Sequence, residues 1–174
     1  MASGIFINIR LEVFYQRFLR GYFNNNNIVF TFPKRSAYKW NELLHWLVNY
    51  PPANLKIKDY GEENFRVELP WAEHFDIQSR NHMSERSQEI FRRQVRSFYL
   101  NTMFAFIDEL VHKQKLTKKD AMDRFMEMHQ MADLNDDRVK KEVQRYRQRI
   151  ITDYYNRNSG FRMKKYRKKM QLVV

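Results

Sequence analysis

Apolar residues recur at mixed strand and helix spacings over the first seventy positions, and at helical spacing alone beyond about residue 84. Ile5-Phe6-Ile7-Asn8-Ile9 is β-branched and aromatic, which predicts a short buried strand. Leu11, Phe14, Tyr15, Phe18, Leu19 and Tyr22 then follow a helical period, and Gly21 with Asn24-Asn25-Asn26-Asn27 ends it in a loop. Ile28 to Phe32 reads as a second strand closed by Pro33. Trp40, Leu43, Leu44, Leu47 and Val48 mark a second helix that stops at Tyr50-Pro51-Pro52. Leu55-Lys56-Ile57 and Phe65 to Leu69 flank Asp59-Tyr60-Gly61 and predict a hairpin with one wet face.

The order β-α-β-α-β-β predicts a small mixed α/β sandwich over residues 1–71. Residues 72–83 show no period and are expected to be a connector. Ser84 caps a long helix reaching about His112. Its first half is amphipathic through Phe91, Val95 and Phe98, and its second half, Phe98 to Val111, is apolar nearly all round. A helix of that kind is expected to be buried on most faces, as hub of the fold or in a subunit contact. Thr117 with Asp120 forms a capping-box pattern that opens a shorter helix through Met128, with Ala121, Phe125 and Met128 as its apolar stripe. After a connection over 129–135, a last helix runs from Asp136 to about Asn156. The fold class is therefore α+β: the sandwich is followed by a helical module over 84–158 with a helix-turn-helix-like pair, then a basic tail over 159–174.

Charge changes this picture more than composition does. Residues 136–174 hold thirteen Lys or Arg against four Asp or Glu, so they carry nine of the chain's twelve net positive charges. Such a concentration attracts a polyanion, and nucleic acid is the commonest. On the last helix Val139, Val143, Tyr146 and Ile150 form one narrow apolar stripe. Lys141, Gln144, Gln148 and Thr152 lie opposite, flanked by Arg138, Arg145 and Arg149 on one side and by Lys140 and Arg147 on the other. Gln and Arg suit base edges, and Lys and Arg suit phosphates. In the tail, Arg162, Lys164, Lys165, Arg167, Lys168 and Lys169 could add phosphate contacts or enter a groove, and Tyr166 could stack on an unpaired base. Against this, a basic helix is often only a solvated face, and Asp136-Asp137 at the helix start would repel phosphate.

The chain has 174 residues, 43% of them apolar and 16% aromatic, with four Gly and four Pro, enough for a packed core. Phe6, Phe14, Phe18, Phe30, Phe32, Trp40 and Trp46 sit at core spacing. With no Cys there is no disulfide, thiol nucleophile or Cys-ligated zinc. No signal peptide or membrane span is expected, which fits an intracellular protein.

No Gly-rich phosphate loop, Gly-x-Ser-x-Gly turn or His-Glu-x-x-His motif occurs. Asp59, Glu62, Glu63 and Glu68 suit a hairpin rim better than a metal nuclease. His74, Asp76 and His82 are loosely spaced for a metal, and Tyr154-Tyr155 lacks the His-x-His companion of a strand-nicking enzyme. The expectation is a non-enzymatic nucleic-acid-binding protein, DNA before RNA, with no cofactor, no metal, no small-molecule substrate and no membrane partner. The competing expectation is a structural or assembly protein, such as a virion or complex component, that forms a homo-oligomer through residues 98–111. The layout is similar to phage and mobile-element proteins only in outline, with no residue motif behind the likeness.

Overall fold

The computed structural model describes residues 4–55, 58–71 and 76–134, and beyond them Asp137, Lys141, Gln144 and Arg145. Along the described chain run β1 (Phe6–Arg10), α1 (Val13–Tyr22), α2 (Tyr38–Leu47), β2 (Val48–Asn49), a 3-10 turn (Gly61–Glu63), β3 (Asn64–Glu68), β4 (His82–Met83), α3 (Glu85–Lys113) and α4 (Lys118–Met128). Small antiparallel sheets with segregated helices make this an α+β fold, as the sequence predicts. Met1–Asp133 form one compact unit and Leu134–Val174 a second. Helices α3 and α4 thus belong to the same unit as the N-terminal strands.

The predicted first strand and first helix both form. Strand β1 alternates, burying Ile7 and Ile9. Its partner is β3, antiparallel, with Ile7 opposite Val67 and Ile9 opposite Phe65, so four inward side chains form one apolar face. Of the hairpin predicted from residues 55–57 and 65–69, the second strand forms as β3 and pairs with β1, while Lys56 and Ile57 of the first lie outside the described residues. Asp59 Oδ1 accepts from Gly61 N at 3.0 Å, Gly61 takes φ +57°, and the chain coils into the 3-10 turn before β3. Leu55 is exposed.

The predicted strand Ile28–Phe32 shrinks to a single bridge, parallel, between Phe30 and Val67. Phe30 N donates to Arg66 O and Glu68 N to Phe30 O, both at 2.8 Å, so only Phe30 joins the free edge of β3. Side chains take the neighbouring carbonyls. Arg20 donates to Asn27 O and Ile28 O, and Asn25 Nδ2 to Thr31 O. The predicted connector also contains structure. Met83 pairs with Val48, which ends α2 as a strand residue rather than a helical one.

Ser84 caps α3 through Ser87 N at 3.2 Å, and Thr117 caps α4 through Asp120 N at 3.2 Å, as their motifs predict. Helix α3 packs beside α1, α2 and α4, burying Phe91, Val95, Tyr99, Met103, Ile107 and Leu110. Phe104, beside that stripe, is buried as well, and Phe98, Leu100, Phe106 and Val111 are half-buried. Asn101, Ala105, Asp108 and Glu109 face solvent, so the expectation of burial on most faces is corrected. On α4 the stripe is rotated from the predicted one. Ala121, Met122, Phe125 and Met126 are buried, while Met128 falls at the edge of that arc and is exposed.

The core is dense in rings. Tyr99 of α3 meets Phe14 and Phe18 of α1 edge-on at 5.1 Å each, and Phe125 of α4 at 6.0 Å. Phe98 meets Phe18, Tyr22 and Trp40. Helix α1 runs so close to residue 129 that a Cβ on Gly21 would lie 2.4 Å from the His129 carbonyl oxygen. Glycine is required there by contact, not by backbone angle. Two aromatic residues expected in the core are outside it: Phe6 and Trp46 are exposed.

Candidate nucleic-acid interface

Of the thirteen positions singled out as nucleic-acid contacts, Lys141, Gln144 and Arg145 are described. All three are exposed on helical backbone. Their spacing of three and four residues places them on one helical face, and together they offer two cations and an amide. Arg138, Lys140, Gln148, Arg149, Arg162, Lys164, Lys165, Arg167, Lys168 and Lys169 lie outside the described residues, as does the stripe Val139, Val143, Tyr146 and Ile150. Among the helix-turn-helix elements, α4 forms as expected, and most of its proposed partner lies outside the described residues.

The unit Met1–Asp133 handles charge differently. Five of its carboxylates pair with its own bases: Arg10 with Glu63 and Lys58 with Glu85 at 2.6 Å, Arg92 with Glu89 at 2.7 Å, Lys113 with Glu109 at 2.8 Å, and Arg17 with Asp133 at 2.5 Å. The hydrogen bond from Lys58 holds the Glu85 carboxyl below its usual range, and Arg92 and Arg93 do the same for Glu89. These pairs lie at the surface and contribute little stability, but they cancel the unit's field locally. The acids noted as a possible metal rim are separately committed. Asp59 closes a turn, Glu63 holds Arg10, and Glu68 accepts from Thr31 Oγ1 at 2.8 Å. Asp76 caps the turn at Gln78 and Ser79.

Other bases stay outside these pairs. Lys34, Arg35 and Lys39 are exposed and form no ion pair with a described residue, and the same holds for Lys115, Lys118 and Lys119. Lys34 lines a cleft of about 390 Å³ between α2 and the chain at Pro70–Trp71, together with Tyr38, Asn41, Glu42 and Trp46. His45 of α2 also lines the cleft, and burial pushes its imidazole down from 6.5, an effect that the Pro70 backbone opposes. Leu69, next to Pro70 in sequence, is buried.

The sequence pattern misses this cleft because Trp46 reads there as one of the core aromatic residues. At 100° per residue it sits about 120° away from the direction shared by Trp40, Leu44 and Leu47. That angle was the available signal, and the side chain is 86% exposed. Trp71, at the predicted domain end, is 57% exposed. Comparison of the chain with protein-family models, with curated proteins and with solved structures gives no match to any of them.

Proposed function

We propose that this protein binds nucleic acid without catalysing a reaction on it, DNA in preference to RNA, and that residues 136–174 make the contact. The observation that carries this reading is the placement of nine of twelve net positive charges in those thirty-nine residues. Exposure of Lys141, Gln144 and Arg145 on one helical face supports it. In this reading Gln144 and Gln148 address base edges, while Lys141, Arg145 and the tail cations neutralise phosphates. A helix-turn-helix arrangement of α4 with residues 136–156 is the finer form of the proposal.

The competing assembly reading needs residues 98–111 to offer an uncovered apolar face. The chain itself covers Tyr99, Met103, Ile107 and Leu110, which favours the nucleic-acid reading.

Binding measured against salt concentration with duplex DNA, single-stranded DNA and RNA is the test. Each phosphate neutralised on duplex DNA contributes about −0.9 to the slope of log K against log salt. A steep negative slope with duplex DNA bound tightest is expected. Failure to bind any of the three at low salt overturns the function, and tighter binding of RNA overturns the preference for DNA.

A further inference from the structure

Trp46, Trp71 and Tyr38 are 86%, 57% and 54% exposed beside one cleft, whereas the other exposed aromatic residues, Tyr50, Phe6 and Tyr22, do not line it. Leaving such rings in water forgoes burial of about 25 cal/mol per Å² of apolar surface, so three of them bordering one cleft mark a binding surface. The cleft is built, not a fraying end. The stripe Leu44 and Leu47 anchors α2 in the core, and buried Leu69 anchors the chain that leads into Pro70 and Trp71. Neither Trp46 nor Trp71 meets another ring among the described residues.

We infer that this cleft stacks an unpaired nucleobase, so that the folded unit holds a single strand in addition to whatever the basic end contacts. The inference rests on the proposed nucleic-acid function and names a second site for it. Charge decides the class of occupant. Lys34 lines the cleft beside the one lining carboxylate of Glu42, and the exposed Arg35 and Lys39 adjoin it in sequence, Lys39 lying over the Tyr38 ring at 5.9 Å, a balance that suits a phosphate backbone running past the rings. Glu42 and the Asn41 amide line the cleft itself, where a carboxylate accepts from an exocyclic amino group or, on thymine, from N3–H. A volume of about 390 Å³ leaves room for one or two bases. Only unpaired bases offer both a free ring face and a free pairing edge.

The test uses the full chain, a short oligodeoxythymidine, a mixed-sequence single strand and a duplex of the same sequence. Tryptophan fluorescence and anisotropy follow binding. Trp46→Ala and Trp71→Ala should each weaken single-strand binding by roughly five- to a hundredfold, the range for loss of one stacked base. Trp46→Phe should retain most of the affinity, and duplex affinity should stay within twofold. Exposed positions should leave the melting temperature unchanged, which separates loss of stacking from loss of fold. If wild type binds both nucleic acids and the alanine variants bind single strands as wild type does, the cleft is not a stacking site, while the nucleic-acid function stands. If wild type binds neither, the function itself fails and this site with it. Quenching of Trp46 fluorescence by a proline-rich peptide, with none by oligonucleotide, overturns the inference in favour of a peptide groove.

Discussion

The two units of this chain obtain their character from opposite ends of the amino-acid alphabet. Met1–Asp133 hold nineteen bases and sixteen acids, and twenty-two of the twenty-seven aromatic residues. Leu134–Val174 hold thirteen bases, four acids and five aromatic residues. In the first, apolar burial organises the chain and charges pair off at the surface, as Arg10 does with Glu63 and Lys58 with Glu85. In the second, charge of one sign prevails, and the proposed nucleic-acid contact rests on it. On that proposal, stability and attraction are written in separate segments. Substitutions should therefore move one property without the other.

The sharpest way to break that division is at Gly21. A Cβ there would overlap the backbone of His129, with its carbonyl oxygen at 2.4 Å and its carbonyl carbon at 2.7 Å. Backbone cannot swing away as a flexible side chain can, so α1 and the segment after α4 would have to separate. Gly21→Ala should cost about 3 kcal/mol, the upper part of the range for overpacking. Urea unfolding of the variant checks this. A midpoint equal to wild type would mean the close approach is not made in solution.

A smaller effect is expected from acid. His129 is 4% exposed among Phe18, Tyr22 and Phe125, with ring centroids at 5.3, 5.9 and 4.4 Å. Neither ring nitrogen makes a well-formed hydrogen bond. Burial pushes its pKa below 6.5, and the Met128 backbone opposes that only in part. The folded state thus keeps His129 neutral, while the unfolded chain takes up a proton once pH falls below 6.5. The stability contribution is present above 6.5 and is lost as pH falls from there towards the lowered folded value; half-buried His45 acts in the same direction. His129→Phe should flatten the stability profile between pH 7 and 5, as read by thermal melts at each pH. An unchanged slope would remove His129 as its cause.

The smallest effect on stability, and the largest on attraction, belongs to the tail. Deleting residues 161–174 removes six Lys or Arg. The melting temperature should move by no more than about a degree, whereas duplex affinity should fall and its salt dependence become shallower, since fewer counterions are released. A large loss of melting temperature would show that these residues share in the packing of a core.

Local chemistry made much of the fold legible. Ser84 and Thr117 satisfy the free amide groups at their helix starts through bonds three residues long, and nothing distant alters that. The same holds for α1, where spacings of three and four residues bring Phe14, Phe18 and Tyr15 to one side. The candidate interface was legible as charge, because charge adds along a sequence whatever the chain's path. Lys141, Gln144 and Arg145 could be placed on one face from helical spacing alone.

Tertiary structure decided what depends on distant partners. Residues 65–69 carry the same alternation whether they pair with 55–57 or with β1, and only the apolar face completed by Ile7 and Ile9 selects between them. Phe30 joins β3 for one residue, while Arg20 and Asn25, from the preceding helix and loop, bond the carbonyls of Ile28 and Thr31 beside it. Trp46 and Met128 look like core residues by composition, yet both are exposed, since burial depends on which arc of a helix finds a neighbour. Periodicity states which residues share a face. Which face is covered, and so which rings remain open to a ligand, follows only when the other elements have closed around it.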